Sequence, residues 1–322
     1  MLNDSHRLSL GTAALAGLYR PVSKTAVQEV LTTAWDSGIR YFDTAPHYGN
    51  GAAESLIGDF LRDRDGWILS TKVGRVLTPD PAPPAVVNGF HNGRPFRQAF
   101  DFTHDGIMRS VEDSFQRLGL NRIDILYVHD IGDPGAGTDT PDHRAQLLDS
   151  GAKALERLKA DGTVKAIGLG VNTVEICQEL VGQFDMDLIL LAGRHTLLDQ
   201  SAHHGLFPQL EKHGVRLVIG GVFNSGILAT GPVPGAHYNY APASDEILDR
   251  VARIEAICDR HDTPLPAAAL QYPDQSPLVA STLIGTAKAS SLKCNIAQFN
   301  DDLPPALWAD LRAAGIIEGS AA

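Results

Sequence analysis

The 322-residue chain has only three cysteines, Cys177, Cys258 and Cys294, and no two form a C-x-x-C pair. Neither a disulfide framework nor a thiolate zinc centre is suggested, and the thiols are expected in or near the core. No apolar run approaches the roughly 20 residues that a membrane helix needs. The N-terminal stretch MLNDSHRLSL has no signal-peptide core, so a cytoplasmic setting is the expectation. Positive charge is scarce: 27 Lys and Arg face 38 Asp and Glu, a net charge of −11 that argues against nucleic acid and anionic membranes as partners. His203 and His204 adjoin but lack a third metal ligand, so they read as solvated and no metal is expected. A dinucleotide fingerprint is also missing, because GLGVNT (168–173) lacks the third glycine of G-x-G-x-x-G. No repeat, low-complexity tract or charged linker divides the chain, so residues 1–322 are read as one domain. Nothing in the sequence bears on oligomeric state.

What is present is an alternation of short apolar strands and amphipathic helices. Candidate strands are 8–11, 39–44, 67–73, 123–129, 164–170, 187–193, 215–221 and 280–285. They are rich in Val, Ile and Leu without clean period-two alternation, the pattern of strands covered on both faces. Between them, Ser23 caps a helix carrying Val27, Val30, Leu31, Ala34 and Trp35, with Gly38 as its stop. Asp105 opens another, with Ile107, Val111, Phe115 and Leu118 on one face. Leu148, Leu155 and Leu158 mark a third, Ser244 caps a fourth, and residues 304–317 read as a C-terminal helix packing through Leu307, Trp308 and Leu311. Eight such strands predict a (β/α)8 TIM barrel, with a doubly wound sheet as the alternative. Two long connections, 74–104 and 231–243, are expected to be binding loops at the C-terminal ends of the strands.

Three of the strands end in ionisable residues. The second ends in Asp43, the third in Lys72 and the fourth in His129, while Tyr48 sits in the turn after the second. Singly each has an ordinary explanation as a cap or a core residue; together, on a barrel, they converge on one mouth. A tyrosine ordinarily titrates near 10, so it surrenders a proton reluctantly. An adjacent ammonium favours the phenolate, and Asp43 keeps Lys72 charged and oriented. With His129 as a hydrogen-bond partner for a substrate oxygen, the set suits proton exchange with an alcohol or carbonyl. Side chains supply no hydride, so a nicotinamide cofactor is implied.

These residues resemble the catalytic tetrad of the aldo-keto reductase superfamily. FDTAPHYGNGAAESLIG (42–58) is similar to its most recognisable stretch, and RSVEDSFQRLGLNRIDILYVHD (109–130) to the block that ends in the histidine. The resemblance runs from about residue 8 to 317. GRVLTP, FDFTHDGIMRS and LLAGRHTLLDQ are most similar to the branch that oxidises aldoses and pyridoxal. It implies a cofactor lying across the barrel mouth: Asn172 at the nicotinamide amide, Asn224, Ser225 and Gly226 around the pyrophosphate, and Gly285, Thr286, Ser291 and Asn295 along the adenosine. The sequence departs from the family at Gly285 and Ser291, where NADP-specific members carry basic residues. Lys288 and Lys293 lie nearby, and the balance favours NAD over NADP. Cys294 stands where an acid is common, IGG (219–221) lacks the nicotinamide-stacking aromatic, and LQYPDQSP (270–277) differs from the branch pattern.

Substrate-facing candidates are Tyr19, after the first strand, and Phe102, in the 74–104 connection. The residues alone leave open whether Phe90, Phe96, Phe100 and Phe102 line a pocket or bury their own loop, and whether Tyr19 merely packs the rim. Three functions are compatible with the sequence. The first is an NAD-dependent dehydrogenase turning a cyclic hemiacetal, aldose or pyridoxal, into a lactone. The second is an NADPH-dependent aldehyde and ketone reductase, and the third a cofactor-binding regulatory subunit.

Overall fold

Each of eight short strands is buried on both faces, so each needs a neighbour on either edge and helices outside. A closed barrel supplies both. The computed structural model describes residues 2–239 and 241–318. Its strands are β1 Leu8–Gly11, β2 Tyr41–Asp43, β3 Ile68–Val73, β4 Ile125–His129, β5 Ala166–Val171, β6 Leu188–Ala192, β7 Arg216–Gly220 and β8 Val279–Ile284. They are all parallel, and β1 pairs with both β2 and β8. That closure removes the doubly wound alternative.

Side chains alternate along a strand. Tyr41, Ile68, Ile125, Tyr127, Leu188, Leu190 and Val218 fill the barrel, with Leu2 at its base. The opposite faces, with Phe42, Leu69, Leu126 and Ile167 among them, pack on the helices. Gly170 on β5 has a spatial purpose: an added Cβ would lie 3.3 Å from Lys72 Cε and 3.2 Å from Tyr127 Cβ. The second glycine of GLGVNT therefore leaves room for a buried lysine, while a Cβ on the first, Gly168, would collide with the Leu188 carbonyl of the neighbouring strand.

The helix α1 (Lys24–Asp36) begins at Ser23, whose hydroxyl accepts from the Ala26 amide. A second, α2 (Ala52–Leu61), lies so near α3 (His104–Leu118) that a Cβ on Gly58 would collide with the Leu118 carbonyl. The cap of α3 is Thr103, which accepts from the Gly106 amide at 3.2 Å, so Asp105 is a first-turn residue and not the opening cap. The third expected helix differs in phase. Residues Leu147–Gly151 form a π-turn ahead of the helix Ala152–Ala160. The wider turn buries Leu147 and leaves Leu148 exposed, reversing the expected inward residue. The fourth helix, Asp245–Arg260, and the last, Pro305–Ala313, match expectation; Ser244 caps the former and Leu307, Trp308 and Leu311 are buried in the latter.

Both long connections contain strands. Arg75–Pro79 pairs antiparallel with Phe96–Phe100, and His237–Tyr238 with Ala241–Pro242. Cys177 and Cys258 are buried, but Cys294 is exposed, contrary to its expected near-core position. His203 is also less solvated than expected: it bonds His195 at 3.0 Å and lies 3.3 Å from Glu318, while His204 is exposed and paired to Glu318. Among the described residues, no helix is long and apolar enough to cross a membrane and no cluster of His, Cys, Asp and Glu is arranged to hold a metal.

Candidate active site

The alternation that fills the barrel also stacks its polar residues. Tyr41 and Asp43 project inward from β2, Ser70 and Lys72 from β3, and Tyr127 and His129 from β4. Deep in the barrel, the Tyr41 hydroxyl lies 3.1 Å from both Ser70 Oγ and Tyr127 OH. One layer higher, Lys72 Nζ donates to Asp43 Oδ2 at 2.6 Å and to the Thr44 carbonyl at 2.9 Å. Ser70 donates to the other Asp43 oxygen at 2.7 Å. Both charges are buried, so each depends on the other. Burial works against the Lys72 ammonium, but Asp43 and Tyr48 outweigh it and hold its pKa above the ordinary value.

The ammonium also sits 4.7 Å from the centroid of the Tyr48 ring. Lys72 does favour the Tyr48 phenolate, yet it does not prevail. Burial raises the Tyr48 pKa, Asp43 and Asp130 add to the rise, and the phenol is pushed up to about 12. The net lowering expected from the lysine alone is thus reversed by desolvation. Across the mouth, the His129 ring stands perpendicular to Tyr48 at 6.0 Å between centroids. Burial, then the charges of Arg75 and Lys72, hold His129 neutral.

A cavity of about 360 Å³ opens over these groups. Tyr48, Lys72, His129, Asn172 and the exposed Tyr19 border it, so five of the expected site residues share one space. Phe102 does not. It is fully buried, against Gly74, Phe100 (5.8 Å) and His143 (5.3 Å). Its ring fills the gap left by a residue without a Cβ, so it is a packing residue, and Phe90 from the same connection borders the cavity instead.

Sequence reasoning passed over His47, Arg75, Gln98 and Asp130, whereas Phe90 is the one of the four loop phenylalanines that borders the cavity. Arg75 pairs with Asp130 at 2.5 Å, and Asp130 Oδ2 lies 3.5 Å from His129 Nε2. Asp130 takes a left-handed φ of 51°. His47 and Asp130 are adjacent to tetrad residues, so their positions were visible; Arg75 and Gln98 reach the site only through the hairpin, which has no signature in the sequence.

The remaining expected residues follow other strands at the same face. Asn172 comes after β5, donates to Asp133 at 3.4 Å and accepts at its carbonyl from Arg194 at 2.8 Å. Asn224, Ser225 and Gly226 form a turn after β7, with left-handed φ of 44° and 61° at the first two. Gly285 and Thr286 follow β8, and Ser291 and Asn295 lie on the helix Ala289–Phe299. The mouth fits a dinucleotide in a specific respect: Asn224 Oδ1 is buried without a protein hydrogen-bond partner. An acceptor so placed suits a ribose hydroxyl or an amide N–H.

The fold and this barrel-mouth site belong together in one class: residues 7–316 match the aldo/keto reductase family, and the chain is a member of it. Among its relatives, the pyridoxal 4-dehydrogenase of Microbacterium luteolum is 44% identical, over 96% of this chain and 94% of that protein. The D-threo-aldose 1-dehydrogenase of a Pseudomonas species is 42% identical over the same shares. An aldo-keto reductase structure from Bacillus halodurans, in its holo form, superposes with a TM-score of 0.74. It is 22% identical and covers 97% of this chain and 92% of its own, a likeness of fold. The chain is an oxidoreductase of a family that acts on small molecules with nicotinamide cofactors.

Proposed function

We propose that the protein oxidises a cyclic hemiacetal, an aldose of the threo series or pyridoxal, to a lactone with NAD. The observation that carries this reading is the buried Asp43–Lys72 pair beneath Tyr48, with His129 facing it across the cavity. NAD, which the barrel-mouth residues named below would hold, would supply the hydride acceptor for the anomeric carbon. Tyr48 takes the hydroxyl proton, and the Lys72 ammonium, kept charged by Asp43, stabilises the phenolate form that accepts it. His129, neutral, orients the reacting oxygen. The two relatives above 40% identity, one acting on pyridoxal and the other on a D-threo-aldose, support the substrate class.

Asn172, Asn224, Ser225, Gly226, Gly285, Thr286, Ser291 and Asn295 are the residues we assign to the cofactor, and Tyr19 to the substrate. The preference for NAD rests on Gly285 and Ser291, neither of which offers a cation to a 2′-phosphate. On this reading the chain is a single catalytic domain working in the cytoplasm. Initial rates with NAD and NADP, across aldoses and pyridoxal, test it. Lactone formation with NAD is expected; reduction of simple aldehydes by NADPH, without lactone formation, would favour the reductase reading.

A further inference from the structure

Part of the cavity wall is built by a histidine that the tetrad does not include. His47 lies one residue before Tyr48, with its ring edge-on to Phe90 at 5.4 Å and 5.7 Å from the His129 ring. Its Nδ1 is 2.9 Å from Gln98 Oε1. Gln98 is oriented without ambiguity, because the same Oε1 accepts from Arg75 Nη1 at 3.0 Å and a guanidinium only donates. The Gln98 amide nitrogen faces the other way, donating to Asn50 Oδ1 at 2.6 Å. Gln98 Oε1 being an acceptor, His47 Nδ1 must carry the proton. Burial and the charges of Arg75 and Lys72 keep the ring neutral, with its pKa pulled down to about 4. Nε2 therefore holds a lone pair and no proton, in a ring that borders the cavity.

Of the other groups that border the cavity, Tyr48 and Lys72 are donors, Asn172 offers an amide, and the Asp130 carboxylate is taken up by Arg75 and faces His129. The hairpin Arg75–Phe100 thus fixes, through Gln98, a further acceptor on the His47 side of the cavity. We propose that His47 Nε2 accepts a hydrogen bond from the substrate hydroxyl on the carbon next to the reacting one, making His47 a specificity determinant for 2-hydroxylated substrates. This deepens the hemiacetal reading and rests on it. The rings of His47, Tyr48 and His129 are about equally spaced, with centroids 5.7–6.1 Å apart. A substrate whose reacting oxygen lies between Tyr48 and His129 brings the neighbouring carbon towards His47. Losing that hydroxyl strands a desolvated acceptor, which costs about 10- to 100-fold in kcat/KM.

The test compares L-fucose with 2-deoxy-L-fucose in the wild type, His47→Phe and His47→Gln. The wild type is expected to favour L-fucose by about tenfold or more. His47→Phe keeps the ring packing and should lose that preference, read as the ratio of the two kcat/KM values within the variant. His47→Gln, which returns an acceptor oxygen near the Nε2 position, should retain most of it. If the phenylalanine variant does not fold, His47→Leu supplies the apolar arm. Equal losses for both sugars, or a wild-type ratio near one, would overturn the assignment. If the wild type oxidises pyridoxal but neither sugar, the hemiacetal reading stands and the His47 assignment falls; if it oxidises none of the three, the hemiacetal reading falls by itself. The same criteria then apply to reduction of glyceraldehyde against 3-hydroxypropanal, where a wild-type ratio near one likewise overturns the role of His47.

Discussion

Replacing Lys72 by methionine removes the ammonium bonded to Asp43 while keeping much of the aliphatic stem that lies against Gly170. The pair is held at 2.6 Å, with side chains 2% and 1% exposed. Breaking such a pair from one side costs about 3–5 kcal/mol, because the remaining charge stays buried with only Ser70 to satisfy it. For a chain of this size, a loss of about 2 °C per kcal/mol gives a melting temperature roughly 6–10 °C lower at neutral pH. The pH dependence has a definite sign. Burial already raises the Asp43 pKa against the pull of Lys72, and without the lysine it rises further. A carboxyl whose pKa is higher folded than unfolded loses stability as pH rises, since the folded chain then holds more protons. The deficit of Lys72→Met should therefore grow from pH 5 to pH 8, and the Lys72→Met/Asp43→Asn double variant should recover most of it. Thermal melts followed by circular dichroism at the two pH values decide the matter. An equal deficit at both, with no recovery in the double variant, would refute the claim that Asp43 is a buried charge dependent on Lys72.

Tyr48→Phe keeps the ring beside Phe90 and removes the hydroxyl, so turnover should fall by about 10² to 10⁴ with unchanged cofactor affinity; activity within a few-fold of wild type would dismiss Tyr48 as the proton carrier. Because its pKa is pushed up to about 12, oxidation should accelerate throughout the alkaline range, where phenolate accumulates. A plateau already reached at pH 7 would contradict that value. Ser291→Arg should improve NADP use selectively, by about tenfold for a charge-assisted bond of roughly 1.5–3 kcal/mol, and less so at high salt. A wild type that already prefers NADP would instead make Lys288 or Lys293 the anchor. Phe102→Ala should cost about 3–5 kcal/mol in stability, measured by denaturant melts, and leave KM nearly unchanged; the reverse pattern would return Phe102 to the substrate site.

The barrel and its four ionisable residues were readable from the chain because both rest on local rules. An apolar run closed by Asp43, Lys72 or His129 states where a strand ends, and strand alternation then states which residues share an inward layer. Ser23 and Ser244 announced their helices for the same reason, a side chain capping the amides next to it. Where a property depends on distant neighbours, the chain was silent. The Tyr48 phenol shows this: the adjacent lysine suggested a lowered pKa, but the depth of burial, a quantity summed over the whole fold, raises it instead. Phe102 reads as a pocket residue until Gly74 and His143 are seen to enclose it, and Leu148 turns outward because a π-turn adds a residue to the helical phase. The proton on His47 is set by Gln98 and Arg75, which lie 51 and 28 positions further along the chain. Short-range order is written in periodicity and caps; a tautomer, a shifted pKa or the lining of a cavity is decided only when residues far apart in sequence exclude water from one another.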